Sequence, residues 1–292
     1  MSDMSDDALI VGAAAPVGTR RIRSAVLLDV TWVSVTAVAV LVSSRFALID
    51  LPGQYLRTGD APLRIWVVGL PAVSLLVAVV AAVRRSPLLA ATATGILAPA
   101  VALSGSLAVS LFLNESSAFA DAGVAVSLGA ACIGVAMLLR WFVYHPADLL
   151  ADESRPTPRI SSAVLAAGVT TGLVVVANGV VDDGAWSSSF VFQTLLIAVV
   201  PLVIVGCGSV RTRGAMALGA SAAAAQIVGI VGVRVELILP SDSDLLLRTG
   251  VAGIVLLTVA AVLCIVGLTR HAVDDAAEPS DDDAEWRWIV TD

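Results

Sequence analysis

The chain has 292 residues, 58% of them hydrophobic and only 14% charged, with a mean hydropathy of +0.94 and a net charge of −7. A soluble domain carries roughly 25% charged residues, so this composition excludes an ordinary water-soluble domain, and the acidic balance excludes the basic surface that nucleic-acid binding requires. The class that remains is an all-α integral membrane protein. Its apolar runs of about twenty residues suffice to cross a hydrocarbon core of about 30 Å as helices. They do not alternate apolar and polar residues as barrel strands do, and inside lipid a helix satisfies its own backbone groups.

In chain order, residues 1–23 form a polar N-terminal segment ending in Arg20, Arg21 and Arg23. Eight transmembrane helices are predicted, over 25–44, 65–83, 88–113, 124–139, 160–181, 190–210, 215–233 and 249–268. Arg20-Arg21 ahead of the first run could suggest an export signal. That run is longer than a signal-peptide core, however, and no small-residue cleavage site follows it, so the first span is expected to be retained.

The first span holds Asp29, the one carboxylate inside an apolar run, followed at intervals of seven by Thr36 and Ser43. This spacing places all three on one stripe of the helix. An acid within a span suggests a proton or ion path. Asp29 also lies close enough to Arg23 to reach headgroup water or pair with an arginine. The second span carries Pro71 and the third Pro99, both read as mid-helix prolines. The fourth ends at Arg140, before Trp141, Phe142 and Tyr144, a pattern that reads as an interfacial aromatic belt with a snorkelling arginine.

After a linker at 145–159, the fifth span contains Asn178 and the pair Gly168 and Gly172, the sixth Gln193 and Pro201, and the seventh Gln226. The three amides are able to hydrogen-bond across helices, and the glycines predict close packing. The tail over 271–292 has eight acids and one arginine, a solvated composition. Its Trp286 and Trp288 suit either an interfacial anchor or a docking peptide.

All 17 positive residues are arginines. With the N-terminus inside, twelve of them fall on the inner side and five on the outer, so the positive-inside rule places both termini in the cytoplasm, as an even number of spans requires. The heptapeptides RIRSAVL at 21–27 and RISSAVL at 159–165 share six of seven residues. Arg84 and Arg85 recur as Arg211 and Arg213, and Pro71 as Pro201. Residues 24–144 and 160–270 are therefore predicted to be two parallel four-helix repeats, related by an axis along the membrane normal. In transporters such halves meet at the functional site, and interrupted spans mark it. Asp29, Pro71, Asn178, Gln193, Pro201 and Gln226 are accordingly the candidate site residues.

Chemistry finds little scaffold. Cys132, Cys207 and Cys264 lie singly in different spans without a CxxC spacing, and read as buried small hydrophobes. His145 and His271 are too sparse for a metal cluster, and a chain without lysine has no P-loop. No catalytic residue, cofactor or metal site is expected, and an enzyme is the least supported class. Arginine in place of lysine amid Ala, Val and Gly points to a GC-rich prokaryote, hence a multi-pass protein of its plasma membrane. The partners expected are the lipid bilayer and another membrane or cytoplasmic subunit. The reading preferred is a transporter or permease-like membrane domain, or the membrane subunit of a larger complex. The alternative is a non-transporting scaffold or regulatory protein that recruits a cytoplasmic partner through its acidic tail.

Overall fold

A computed structural model describes residues 17–50, 68–114, 118–144, 158–183, 188–210, 212–237 and 244–274. Its helices are α1 (Val17–Asp50), α2 (Leu70–Arg84), α3 (Pro87–Asn114), α4 (Ala118–Tyr144), α5 (Pro158–Asp183), α6 (Ser188–Val210), α7 (Arg213–Leu237) and α8 (Asp244–Asp274). Among the described residues there is no strand. Five helices contain stretches long and apolar enough to cross a membrane: Ser24–Ser44, Pro87–Val109, Ala122–Val143, Arg213–Val231 and Val251–Thr269. The described parts of α2 and α6 add shorter apolar helices at Leu70–Arg84 and Val199–Val210.

Side-chain size sorts the inside from the outside. The core is dominated by small residues, among them Ala91, Ala93, Ala98, Ala100, Ala222 and Ala223, while Leu76, Val83, Phe112, Leu173 and Leu202 are more than three-fifths exposed. A soluble monomer rarely tolerates apolar surface spread over all its helices. In lipid there is no hydrophobic force between helices, so small residues collect where backbones approach and large ones face the acyl chains. This distribution makes the protein a helical membrane protein by physical class.

Two short turns show how the sequence ends one helix and starts the next. Arg85 takes the left-handed conformation (φ 54°, ψ 39°) that usually falls to glycine, and its N–H donates to the carbonyl of Ala81. Ser86 then caps α3, accepting from the N–H of Leu89 at 3.4 Å, with Pro87 at the first helical position. Thr212 caps α7 in the same way, accepting from the N–H of Ala215 at 3.1 Å.

The helices α1, α2, α3 and α4 pack in a closed ring, as do α5, α6, α7 and α8. The rings join mainly through α3 against α7 and α6. α3 and α7 are the most enclosed of the five long spans, 72% and 61% buried. At their crossing Gly95 lies so close to α7 that a Cβ there would fall 2.1 Å from Ser221 Oγ and 2.3 Å from the carbonyl oxygen of Leu218. Glycine is required at this position by contact alone. Gly168 and Gly172 do face a neighbouring helix: α5 meets Val205 and Pro201 of α6 there.

One expectation is corrected. Pro71, read as a mid-helix proline matching Pro201, stands in the first turn of α2, preceded by a π-type turn at 68–69. Proline's missing N–H costs least at such a position. Pro201 and Pro99 are inside α6 and α3, so the two prolines proposed to correspond occupy different helical environments.

Candidate functional site

The stripe Asp29, Thr36 and Ser43 is buried along its whole length, with none of the three more than 3% exposed. It begins about 8 Å from the start of the apolar stretch of α1, counting 1.5 Å per residue. Thr36 lies about midway and Ser43 near the far end. The stripe faces into the first ring. Arg140 of α4 forms an ion pair with Asp29, and Ser43 Oγ lies 3.0 Å from Ser104 Oγ of α3. Arg140 therefore turns inward to the acid; the snorkelling reading is corrected, because a carboxylate this enclosed needs a compensating charge.

Hydroxyls in these helices follow a common rule. Thr31, Thr92, Thr94, Thr171 and Thr258 each donate to the carbonyl four residues earlier, at 2.7–3.0 Å. Ser104 and Ser106 do the same. Such a bond satisfies a donor that lipid or core would otherwise leave bare. Thr36 and Ser127, and Ser161 of α5 in the second ring, break the rule: all three are buried and none of their hydroxyl oxygens has a partner among the described residues. Ser127 sits on the α4 face that carries Gly134, where α4 meets Val101 of α3, two turns farther from Arg140. Together these groups make a polar line through α1, α3 and α4. It runs from the Asp29 and Arg140 pair, past the free hydroxyl of Thr36, to Ser43, Ser104 and Ser127.

The second ring has no such line in the same register. Aligning RIRSAVL with RISSAVL sets Asp29, Thr36 and Ser43 against Ala167, Val174 and Val181.

Gln226 is a separate polar point. Its side chain is fully buried in α7, and neither its Oε1 nor its Nε2 has a partner among the described residues. It lies two turns along α7 from Gly219, on the same face. Gly219 touches Cys207 of α6. Two turns back along the antiparallel α6 from Cys207 is Pro201, which cannot donate to the carbonyl of residue 197. The side chains of Asn178 and Gln193 lie outside the described residues, as do Trp286 and Trp288. The structure thus brings Asp29 to Arg140 and Ser43 to Ser104, pairs that sequence reasoning had not joined. It leaves Gln226 in the other ring. Part of the signal for Arg140 was available: an acid in a span calls for a cation, and Arg140 directly adjoins the apolar run of α4.

Among the described residues no three His, Cys, Asp or Glu side chains converge as a metal site. Comparison with family models, curated proteins and solved structures finds no match to this chain. The class therefore rests on the physical reading: a helical membrane protein with a small-residue core that holds a polar line in the first ring and Gln226 in the second.

Proposed function

We propose that the protein is a transporter or permease-like membrane domain, acting alone or as the membrane subunit of a larger complex, with the first helix ring as its conducting part. The observation that carries this reading is the pair of buried, unpartnered hydroxyls, Thr36 and Ser127, on a line that continues to Asp29 and Arg140. Burying a hydroxyl without a partner costs about 1–3 kcal/mol, and a passing solute or water file would recover it. The lining offers hydrogen bonds with a net charge near zero, since its acid is paired with its arginine.

In the same reading α1 to α8 are eight spans, both termini are cytoplasmic in a prokaryotic plasma membrane, and the rings are parallel repeats. The matching ring order and the central α3 against α7 contact support the repeat, because an axis along the membrane normal would bring the third helix of each copy together, although α3 against α6 has no counterpart between α7 and α2 among the described residues. The test is thiol accessibility. In a chain with its three native cysteines replaced by alanine, Thr36→Cys, Ser127→Cys and, as control, Ala37→Cys are probed in sealed vesicles with a membrane-impermeant thiol reagent. Labelling at 36 and 127 with protection at 37 is expected. Protection at all three would remove the conducting reading and leave a sealed scaffold, for which the acidic tail becomes the functional element.

A further inference from the structure

Two of the chain's cysteines, far apart in sequence, meet over one glycine, and a methionine sulfur lies at a second glycine one turn along α8. Cys264 Sγ of α8 and Cys207 Sγ of α6 lie 3.1 Å and 3.3 Å from the point where a Cβ on Gly219 would stand. The two thiols thus meet on the same face of α7, in the space that a side chain at Gly219 would fill. One turn earlier on α7, Met216 Sδ lies 3.2 Å from the Cβ point of Gly267, and Gly267 is one turn from Cys264 on α8. All three sulfur residues are fully buried. No disulfide joins the cysteines, and the surrounding core, Ile204, Leu218, Leu257 and Ala260, is apolar.

We propose that Cys207, Cys264 and Met216 form a binding site for a soft monovalent metal ion of the copper(I) type. Thiolate and thioether donors select such ions. A zinc ion asks for four ligands of nitrogen, sulfur or oxygen, and no imidazole or carboxylate among the described residues completes such a set here. On binding, the two S–H bonds break, both protons leave, and two thiolate lone pairs form bonds to the metal. Met216 adds a neutral third donor, and no electron is transferred. The complex carries one negative charge. Arg213, one turn before Met216 on α7, is the described cation nearest the site along the chain, and its buried Nε has no hydrogen-bond partner among the described residues.

The test uses the full-length protein in detergent, titrated anaerobically against the coloured complex of copper(I) with bathocuproine disulfonate. The wild type is expected to withdraw one copper(I) per chain, and Cys132→Ala to do the same, since Cys132 is exposed on the outer surface of α4. Cys207→Ala and Cys264→Ala are expected to lose withdrawal, and Met216→Leu to retain copper against less chelator than the wild type. X-ray absorption on the copper-loaded wild type guards against misfolded variants: it should show sulfur neighbours only. Failure of the wild type to withdraw copper, retention by both cysteine variants, or a nitrogen or oxygen first shell would each overturn the proposal.

Discussion

Replacing Gly95 by alanine tests the arrangement of the whole bundle, because one methyl group would be driven into the crossing of its two central helices. The added Cβ would sit 2.1 Å from Ser221 Oγ, 2.3 Å from the Leu218 carbonyl oxygen and 3.1 Å from the Ala222 nitrogen. The serine can rotate or be removed; the carbonyl and the nitrogen belong to the α7 backbone, so the helices must separate. Overpacking a close-packed interior costs about 1–3 kcal/mol and sometimes more. With backbone as the obstacle the upper end applies, about 3 kcal/mol. For a chain of this size that is a drop of roughly 6 °C in Tm. The assay is thermal unfolding in detergent, followed by circular dichroism. Adding Ser221→Gly should recover only part of the loss, since two of the three close atoms remain. Gly129→Ala and Gly253→Ala are matched controls: nothing lies within 4 Å of either Cβ position, and helix propensity favours alanine by up to about 1 kcal/mol. If Gly95→Ala melts with or above these controls, α3 and α7 do not cross at this point and the proposed central contact is wrong.

The polar groups make further predictions. Thr36→Val and Ser127→Ala remove hydroxyls that have no partner, so each should leave stability unchanged or raise it by about 1 kcal/mol while lowering solute flux into proteoliposomes; a stability loss above that size would show that the hydroxyls are bonded. Gln226→Leu removes two unpartnered amide atoms from the core and should stabilise the detergent-solubilised protein by about 1–2 kcal/mol, unless the amide holds water or a ligand, in which case the variant melts lower. Arg140→Ala removes the cation paired with Asp29, which is 3% exposed, and should cost about 3 kcal/mol. Asp29→Asn should cost less, because the long stem of Arg140 can carry its charge outward. The double variant Asp29→Asn with Arg140→Gln should be more stable than Arg140→Ala alone, and equal losses in all three would mean that the pair does not form.

The membrane class, the runs that became α1 to α8 and the Asp29, Thr36, Ser43 stripe were all legible in the chain, because they depend on composition and on the helical period. Those are local properties. Burial of the stripe followed from the same period, since three polar residues on one face of an apolar helix must turn away from lipid. What only tertiary structure decided is which faces meet. The inward turn of Arg140 depends on α4 lying beside α1, 111 residues away in sequence. The free hydroxyls of Thr36 and Ser127 were invisible because neighbouring threonines of the same kind are bonded to their own helices. Cys207 and Cys264 looked isolated in separate spans, yet α7 brings them together over Gly219. In a chain so uniformly apolar, the pattern of hydrophobic residues says that helices form. The positions of glycine and of the few polar atoms determine how they pack, and those become meaningful only once the neighbouring helix is in place.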